Sequence, residues 1–219
     1  MATGDHRLVA LLGHPVEHSL SPRMQNAAFA AAGLAWEYVL RDVLPDELEA
    51  AVREAEYANV TAPYKLDAAR ILGADGPSVN TIVRGRGFST DAAVLERVDE
   101  ISAAVIVGGG GAAAAFRHAL PAARVFSRRA EWPPDVRDAD LVVHATPVRD
   151  EVLFELESGQ TLVDLPYPRT ATAEAAAAAG ARVLDGLEVL VAQGAASFEL
   201  WTGQPAPVDA MREALGLSA

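Results

Sequence analysis

Short apolar runs alternate with amphipathic stretches along most of the chain. "LVALLG" (Leu8 to Gly13) has the near-continuous apolar character of a strand buried on both faces. In the next stretch, "SPRMQNAAFAAAG", Met24, Ala27, Ala28 and Ala31 lie three or four apart and form one face of a helix. Ser21 is read as its N-cap, Pro22 as its first residue and Gly33 as its stop. "AWEYVL" predicts a second strand, and "LPDELEAAVREAE" a helix with Leu48, Ala51, Val52 and Ala55 inward. "YANVTAP" then predicts a short strand ending in a turn, "YKLDAARIL" a brief helix, and "VNTIVRGRGFST" a strand pair around a glycine turn.

The pattern changes near residue 100. "DAAVLERVDEI" reads as a linker helix over 91–102, followed by "SAAVIVGGGG", a buried-type strand running into glycines. The helix "AAAAFRHAL" follows, then strands at "ARVF", "DLVVHATP" and "QTLVDLP". The alanine run ending at Gly180 gives a helix, and "ARVLD" a last strand. Strands alternating with helices predict an α/β protein with parallel sheets, in two lobes. One lobe takes residues 1–90 and is completed by helices in 190–219; the other takes 103–189.

Composition narrows the function. The 219 residues are 51% hydrophobic, enough for a real core, and the net charge of -12 opposes nucleic acid and anionic membrane. With no cysteine, disulfides, thiolate metal sites and a cysteine nucleophile are excluded. The N-terminus lacks the plan of a signal peptide and no stretch has the apolar length of a membrane span, so a cytoplasmic protein is expected. His14 and His18 have metal-like spacing, but Pro15 lies between them and no H-E-x-x-H arrangement is present; no metal is expected.

The glycines carry the first chemical signal. Gly108, Gly110 and Ala113 stand in the G-x-G-x-x-G/A register, directly after an apolar strand and at the opening of a helix. Gly108 permits the tight turn, Gly110 lets backbone amides approach a pyrophosphate, and Ala113 allows close helix packing; the helix N-terminus favours phosphate charge. About twenty positions on, where a free ribose would meet an acidic residue, the chain has Ser127, Arg128 and Arg129. Two guanidiniums suit a 2'-phosphate, which favours NADP over NAD. "AEWPPD" then leaves no room for a helix and strand before Asp140, so this lobe should have a reduced sheet.

Polar clusters in the first lobe fall at strand ends and turns, where α/β ligand sites collect. Taken singly, Asn80 is read as a turn residue. Lys65 opens a helix after "TAPY", where the positive end of the helix dipole disfavours further positive charge, so its amine is disposed to exchange a proton.

In their order, these clusters resemble the shikimate dehydrogenase family. The resemblance rests on "GHPVEHSLSPRMQNAAF", "NVTAPYK", "SVNTI", "STD", "VGGGGAAAA", "SRR", "VHATP" and "DGLEVLVAQGAASFELWTG", from about Leu11 to Gly203. It implies a substrate lobe followed by a Rossmann-like dinucleotide lobe, and an NADP-dependent interconversion of 3-dehydroshikimate and shikimate, or of a closely similar cyclic hydroxy acid. Lys65 and Asp91 would form the catalytic pair. Ser19 and Ser21 would bind the substrate carboxylate, and Thr61, Asn80 and Gln193 its hydroxyls, with Tyr167 nearby. Gly108, Gly110, Gly111, Ser127, Arg128, Arg129, Thr146 and Gly186 would line the cofactor. A monomer or homodimer is expected, with the small acid as its only partner besides the cofactor.

The chain departs from the family at several places. Ser89 stands where the family has asparagine, His144 where it has asparagine and Val189 where it has methionine; segments are missing after Lys65 and after Arg129. A binding protein or sensor that kept the fold but lost turnover is the alternative reading.

Overall fold

Parallel strands joined by helices bury both faces of their sheet, so their interiors must be apolar and their polar groups are pushed to the ends. Both sheets of this protein obey that rule. The computed structural model describes residues 6–218. The chain divides into two compact units, one taking the chain up to Thr90 together with the chain from Val191 onward, the other Asp91–Leu190.

The first unit runs β1 (Arg7–Gly13), α1 (Ser21–Ala31), β2 (Trp36–Asp42), α2 (Leu48–Glu54), β3 (Tyr57–Val60), α3 (Lys65–Leu72), β4 (Thr81–Val83) and β5 (Arg86–Phe88). Its five strands lie in the order β2-β1-β3-β4-β5. β1 pairs parallel with β2 and β3, whereas β3–β4 and β4–β5 are antiparallel. The expected parallel sheet is therefore mixed, because the Arg84–Gly85 turn, with both residues at positive φ, folds β5 straight back on β4.

Helices cover both faces of this sheet. On one, Leu12, Ala58, Val60 and Ile82 pack with Leu48, Val52, Ala68 and Ala69 of α2 and α3. On the other, Phe29 of α1 stacks on Phe198 with centroids 5.6 Å apart, and the indole N–H of Trp201 donates to the Ile82 carbonyl at 3.1 Å. Phe198 and Trp201 belong to α6 (Gly186–Thr202), and α7 (Val208–Ala214) follows, burying Met211. α1 and α6 approach closely at Gly194, whose carbonyl accepts from the buried Gln25 amide at 2.9 Å.

The expected helix over 91–102 is not formed; a 3-10 stretch spans only Ala93–Arg97. Only Val94 of that stretch is buried, so no continuous apolar stripe holds a longer helix in place.

The second unit runs β6 (Ala104–Val107), α4 (Gly111–Ala119), β7 (Arg124–Phe126), β8 (Leu141–His144), β9 (Thr161–Asp164), α5 (Ala171–Ala178) and β10 (Arg182–Leu184), before α6 begins. All five strands are parallel, in the order β10-β9-β8-β6-β7. No helix or strand intervenes between β7 and β8, which leaves β7 at the edge of a reduced sheet. Side chains hold the short link instead. Val136 and Ala139 are buried in the core of this unit, and the Gln160 amide donates to both of their carbonyls, at 2.9 and 2.6 Å. Arg124 donates to the Asp135 carbonyl at 2.9 Å, and the Arg137 guanidinium grips the Asp135 carboxylate, lowering its pKa to about 2.

Two positions fix the ends of the central strands. Gly108 follows β6 at φ +151, and a Cβ there would lie 2.5 Å from the Ala145 carbonyl oxygen at the end of β8. In the first unit, Tyr64 is buried before α3 and its hydroxyl donates to the Val43 carbonyl at 2.7 Å. Burial first, and then the carboxylates of Asp42, Asp46 and Asp67, raise the Tyr64 phenol pKa above 10.0.

Gly108→Ala is expected to destabilise the protein by about 3 kcal/mol, because it adds a clash to an unfavourable φ; a loss below about 0.5 kcal/mol in urea denaturation would show that the Ala145 carbonyl can yield. For Tyr64, the unfolded chain releases its phenolic proton from about pH 10 while the folded chain keeps it, so stability falls as pH rises above that value. Tyr64→Phe should flatten this alkaline fall and cost about 1 kcal/mol at neutral pH through the lost hydrogen bond. Denaturation series at pH 8 and above pH 10 check both effects.

Candidate active site

In the first unit, the candidates gather where β1, β3 and β4 end or begin. A side chain at Gly13 would run into Thr61 and the Ala62 carbonyl, so the ends of β1 and β3 come as close as glycine permits. Thr61 is held by its N–H, which donates to the Leu12 carbonyl at 2.8 Å. Lys65 is the first residue of α3, and its carbonyl accepts the Val79 N–H at 2.9 Å, which ties the lysine to the residue before Asn80.

Asn80 is no surface turn residue: it is buried and its side chain is committed. Its Oδ1 accepts the Thr90 N–H at 2.7 Å, and its Nδ2 donates to Thr90 Oγ1 at 2.9 Å and Gln193 Oε1 at 3.2 Å. Asn80 and Gln193, far apart in sequence, thus meet. Beneath them, Asn59 donates to the Asn80 carbonyl at 2.8 Å and to Ser197 Oγ at 3.1 Å, while Ser197 and Thr81 hydroxyls lie 2.8 Å apart. Tyr38 donates to Asn59 Oδ1 at 2.8 Å and completes the set.

Sequence reasoning missed Asn59, Thr81, Thr90 and Ser197. For three of them the signal was a polar residue inside an otherwise apolar element, as Asn59 is in "YANV", Thr81 in "TIV" and Ser197 in "AASFEL"; Thr90 lies in the loop after β5. Such a residue must find partners, and these four find one another.

Ser19 and Ser21 lie at the entrance to α1. Ser21 is not its N-cap: Leu20 holds that position without a side-chain bond, and Ser21 and Pro22 are already helical. Ser19 Oγ accepts the Ser21 N–H at 3.2 Å instead, two residues upstream of the expected cap. Asp91 follows Thr90 directly and is buried, as the first residue of the second unit. Tyr167 also belongs to the second unit, on the loop after β9, where its carbonyl accepts from Arg149 at 3.4 Å.

The second unit presents its candidates at the carboxyl ends of β6, β7 and β8. The strand order reverses between β6 and β8, and open parallel sheets bind ligands outside such a reversal. Gly108 is buried under Ala145, Gly109 and Gly110 are exposed, and nothing lies within 4 Å of a Cβ built on Gly110. Gly110 is the N-cap of α4, which starts at Gly111 with no side chain capping it, and Ala113 is buried against the sheet. Open space above uncapped helix amides is what a pyrophosphate requires, so these residues fit a dinucleotide.

Ser127 adjoins this cradle, its Cβ 3.7 Å from where a Cβ of Gly109 would be. Arg128 and Arg129 are exposed on the turn that Ser127 begins, closed by the Ala130 N–H donating to the Ser127 carbonyl at 3.0 Å. Arg128 lies over the Trp132 ring at 5.4 Å and 3.7 Å from Glu151. Thr146, partly exposed, follows Ala145 and bonds to His144 Nε2 at 2.7 Å. Gly186 opens α6 where any side chain would strike the Pro166 carbonyl.

Residues 11–82 match the shikimate dehydrogenase substrate binding domain, and residues 186–215 the shikimate 5'-dehydrogenase C-terminal domain. The NADP(+) shikimate dehydrogenase of Anaeromyxobacter dehalogenans is 38% identical, the alignment covering 98% of each chain. That alignment runs over 271 positions, more than the 219 residues here, so the relative carries segments that this chain lacks. A crystal structure of a shikimate dehydrogenase in complex with NADP+ superposes with a TM-score of 0.82 at 27% identity, covering 96% of this chain and 94% of that one. The shikimate complex of the Thermus thermophilus enzyme gives 0.80 at 31% identity, over 94% of this chain and 96% of that one. By sequence and fold together, the chain belongs to the shikimate dehydrogenase family.

Proposed function

We propose that this protein interconverts 3-dehydroshikimate and shikimate with NADP as its cofactor. The observation that carries the reading is the placement of Lys65 and Asn80 together, through the Lys65 carbonyl and the Val79 N–H, beside a preformed network of neutral donors and acceptors. A polyhydroxylated acid is recognised by such groups, and an analogue lacking one hydroxyl leaves a buried partner unpaired.

In this reading Ser19 and Ser21 take the substrate carboxylate, and Thr61, Asn80 and Gln193 its hydroxyls, with Tyr167 as a further contact. Asn80 and Gln193 are held before substrate arrives, so little ordering accompanies binding. Lys65 donates a proton to the substrate oxygen as the carbonyl becomes a hydroxyl, and takes it back in the reverse direction. Asp91 orients the ammonium. NADPH, when bound, supplies the hydride. The Gly108–Gly111 turn and the α4 N-terminus hold its pyrophosphate, Ser127, Arg128 and Arg129 its 2'-phosphate, and Thr146 lines the same crevice. Gly186 contributes by letting α6 start against Pro166.

The intact glycine cradle supports turnover over acid sensing. Among the described residues no helix is long and apolar enough to cross a membrane; the same reading makes the protein a cytoplasmic enzyme.

Purified protein should oxidise NADPH on addition of 3-dehydroshikimate, and Lys65→Ala should lower kcat by about 10²-fold or more while shikimate still binds in calorimetry. Absence of turnover together with binding of the acid would favour the sensor. Replacing both Arg128 and Arg129 by Ala should raise the KM for NADP by about 10-fold or more and leave that for NAD within about 2-fold. Equal effects on the two cofactors would show that the arginines do not read the phosphate.

A further inference from the structure

The core of the second unit holds a polar chain that the proposed reaction does not by itself require. His144 and Asp164 end the neighbouring parallel strands β8 and β9 in register, and both side chains are 0% exposed. His144 Nδ1 lies 2.6 Å from Asp164 Oδ1, and His144 Nε2 lies 2.7 Å from Thr146 Oγ1. Asp164 also receives the Thr170 hydroxyl at 3.1 Å and the Thr170 N–H at 3.2 Å. The Thr170 oxygen in turn accepts the Ala173 N–H at 3.1 Å and caps α5.

Donor accounting orients the whole chain. As a carboxylate Asp164 can only accept, and with the Thr170 hydroxyl and N–H already donating to it, the Nδ1 facing it is the third donor and carries a proton. In the neutral imidazole that leaves a lone pair on Nε2, and among the described residues its partner is the Thr146 hydroxyl, which supplies the proton. The Thr146 oxygen already accepts the Val148 N–H at 3.2 Å. With its proton turned inward, it offers the crevice a lone pair and nothing to donate.

We propose that Asp164 fixes the His144 tautomer, and that His144 thereby makes Thr146 an obligate hydrogen-bond acceptor for an O–H or N–H of the bound dinucleotide. The inference rests on the reading of this unit as the nucleotide site. Thr146 is suitably placed, because it adjoins Ala145, whose carbonyl lies against Gly108 of the cradle. His144 is a positioning residue here: buried and packed edge-on against Phe154 at 5.9 Å, it reaches a ligand only through Thr146.

The test uses the full-length protein with NADP+ as probe. Nitrogen-15 NMR should show His144 protonated at Nδ1 and bare at Nε2. His144→Asn keeps an amide donor for Asp164 but places no atom at the Nε2 position. It should raise the Kd for NADP+ by about 5- to 10-fold, the worth of one hydrogen bond, while the KM for shikimate holds within about 2-fold. Thr146→Val should do the same, Thr146→Ser should not, and the double variant should be no worse than Thr146→Val alone.

A protonated Nε2, additive effects, or unchanged NADP+ affinity in Thr146→Val overturns the proposal. The NMR and the Thr146 variants decide it even where His144→Asn does not fold. Failure of the functional reading shows in the unsubstituted protein, as no turnover or no dinucleotide binding. Failure of this proposal alone shows only in the tautomer and the variants, with wild-type turnover intact.

Discussion

A strand buried on both faces can present polar chemistry only where it ends. In both units this constraint sends the candidate residues to strand ends and the turns beyond them, apart from Gln193, which α6 carries. Crowding follows, because several strand ends must converge on one ligand. Glycine relieves it at the tightest points: Gly13 admits Thr61 and the Ala62 carbonyl, and Gly108 admits the Ala145 carbonyl. Neither glycine needs to touch a ligand to be indispensable. Gly108 is packed tight, whereas Gly110, two residues on, stays open.

The second unit shows how far a nucleotide fold can be trimmed when its carboxyl edge is spared. Between β7 and β8 the chain has neither helix nor strand, yet Val136 and Ala139 still fill the core and Gln160 satisfies their carbonyls. The bonds of Arg124 and Arg137 to Asp135 secure the exposed part of the link. These are local substitutes for a missing layer, and they lie apart from the glycine turn in sequence and hydrogen bonding. What the shortening alters is the surroundings of Ser127, Arg128 and Arg129, whose turn now runs straight to Trp132 and the two prolines.

Buried polar groups are the other theme. Each unit keeps a set of them, Asn80, Thr81, Thr90 and Ser197 in the first, joined by the partly buried Asn59, and His144, Asp164 and Thr170 in the second. Left unpaired, such groups cost more than a lost contact, because desolvation goes uncompensated. Paired, each fixes the direction of the next. Preorganisation of this kind is what hydride transfer requires of the protein, since the cofactor carries the chemistry itself.

Apolar runs, glycine register and the order of the polar motifs determined by themselves the α/β class, the elements and the family. Those signals are local in the chain, and strand burial or helix periodicity leaves them wherever it occurs. Ser21 and residues 91–102 misled because capping and helix length depend on neighbours beyond the segment: Ser19 supplies the bond at the start of α1, and no apolar stripe extends the 3-10 turn. The glycine turn joining β4 and β5 was legible in the sequence, but the antiparallel run of β4 against β3 was not. Tertiary structure alone decided that Asn80 meets Gln193, that Ser197 closes the network beneath them, and that His144 stands between Asp164 and Thr146. A hydrogen bond joins residues by position in space, and spacing along the chain carries no record of it.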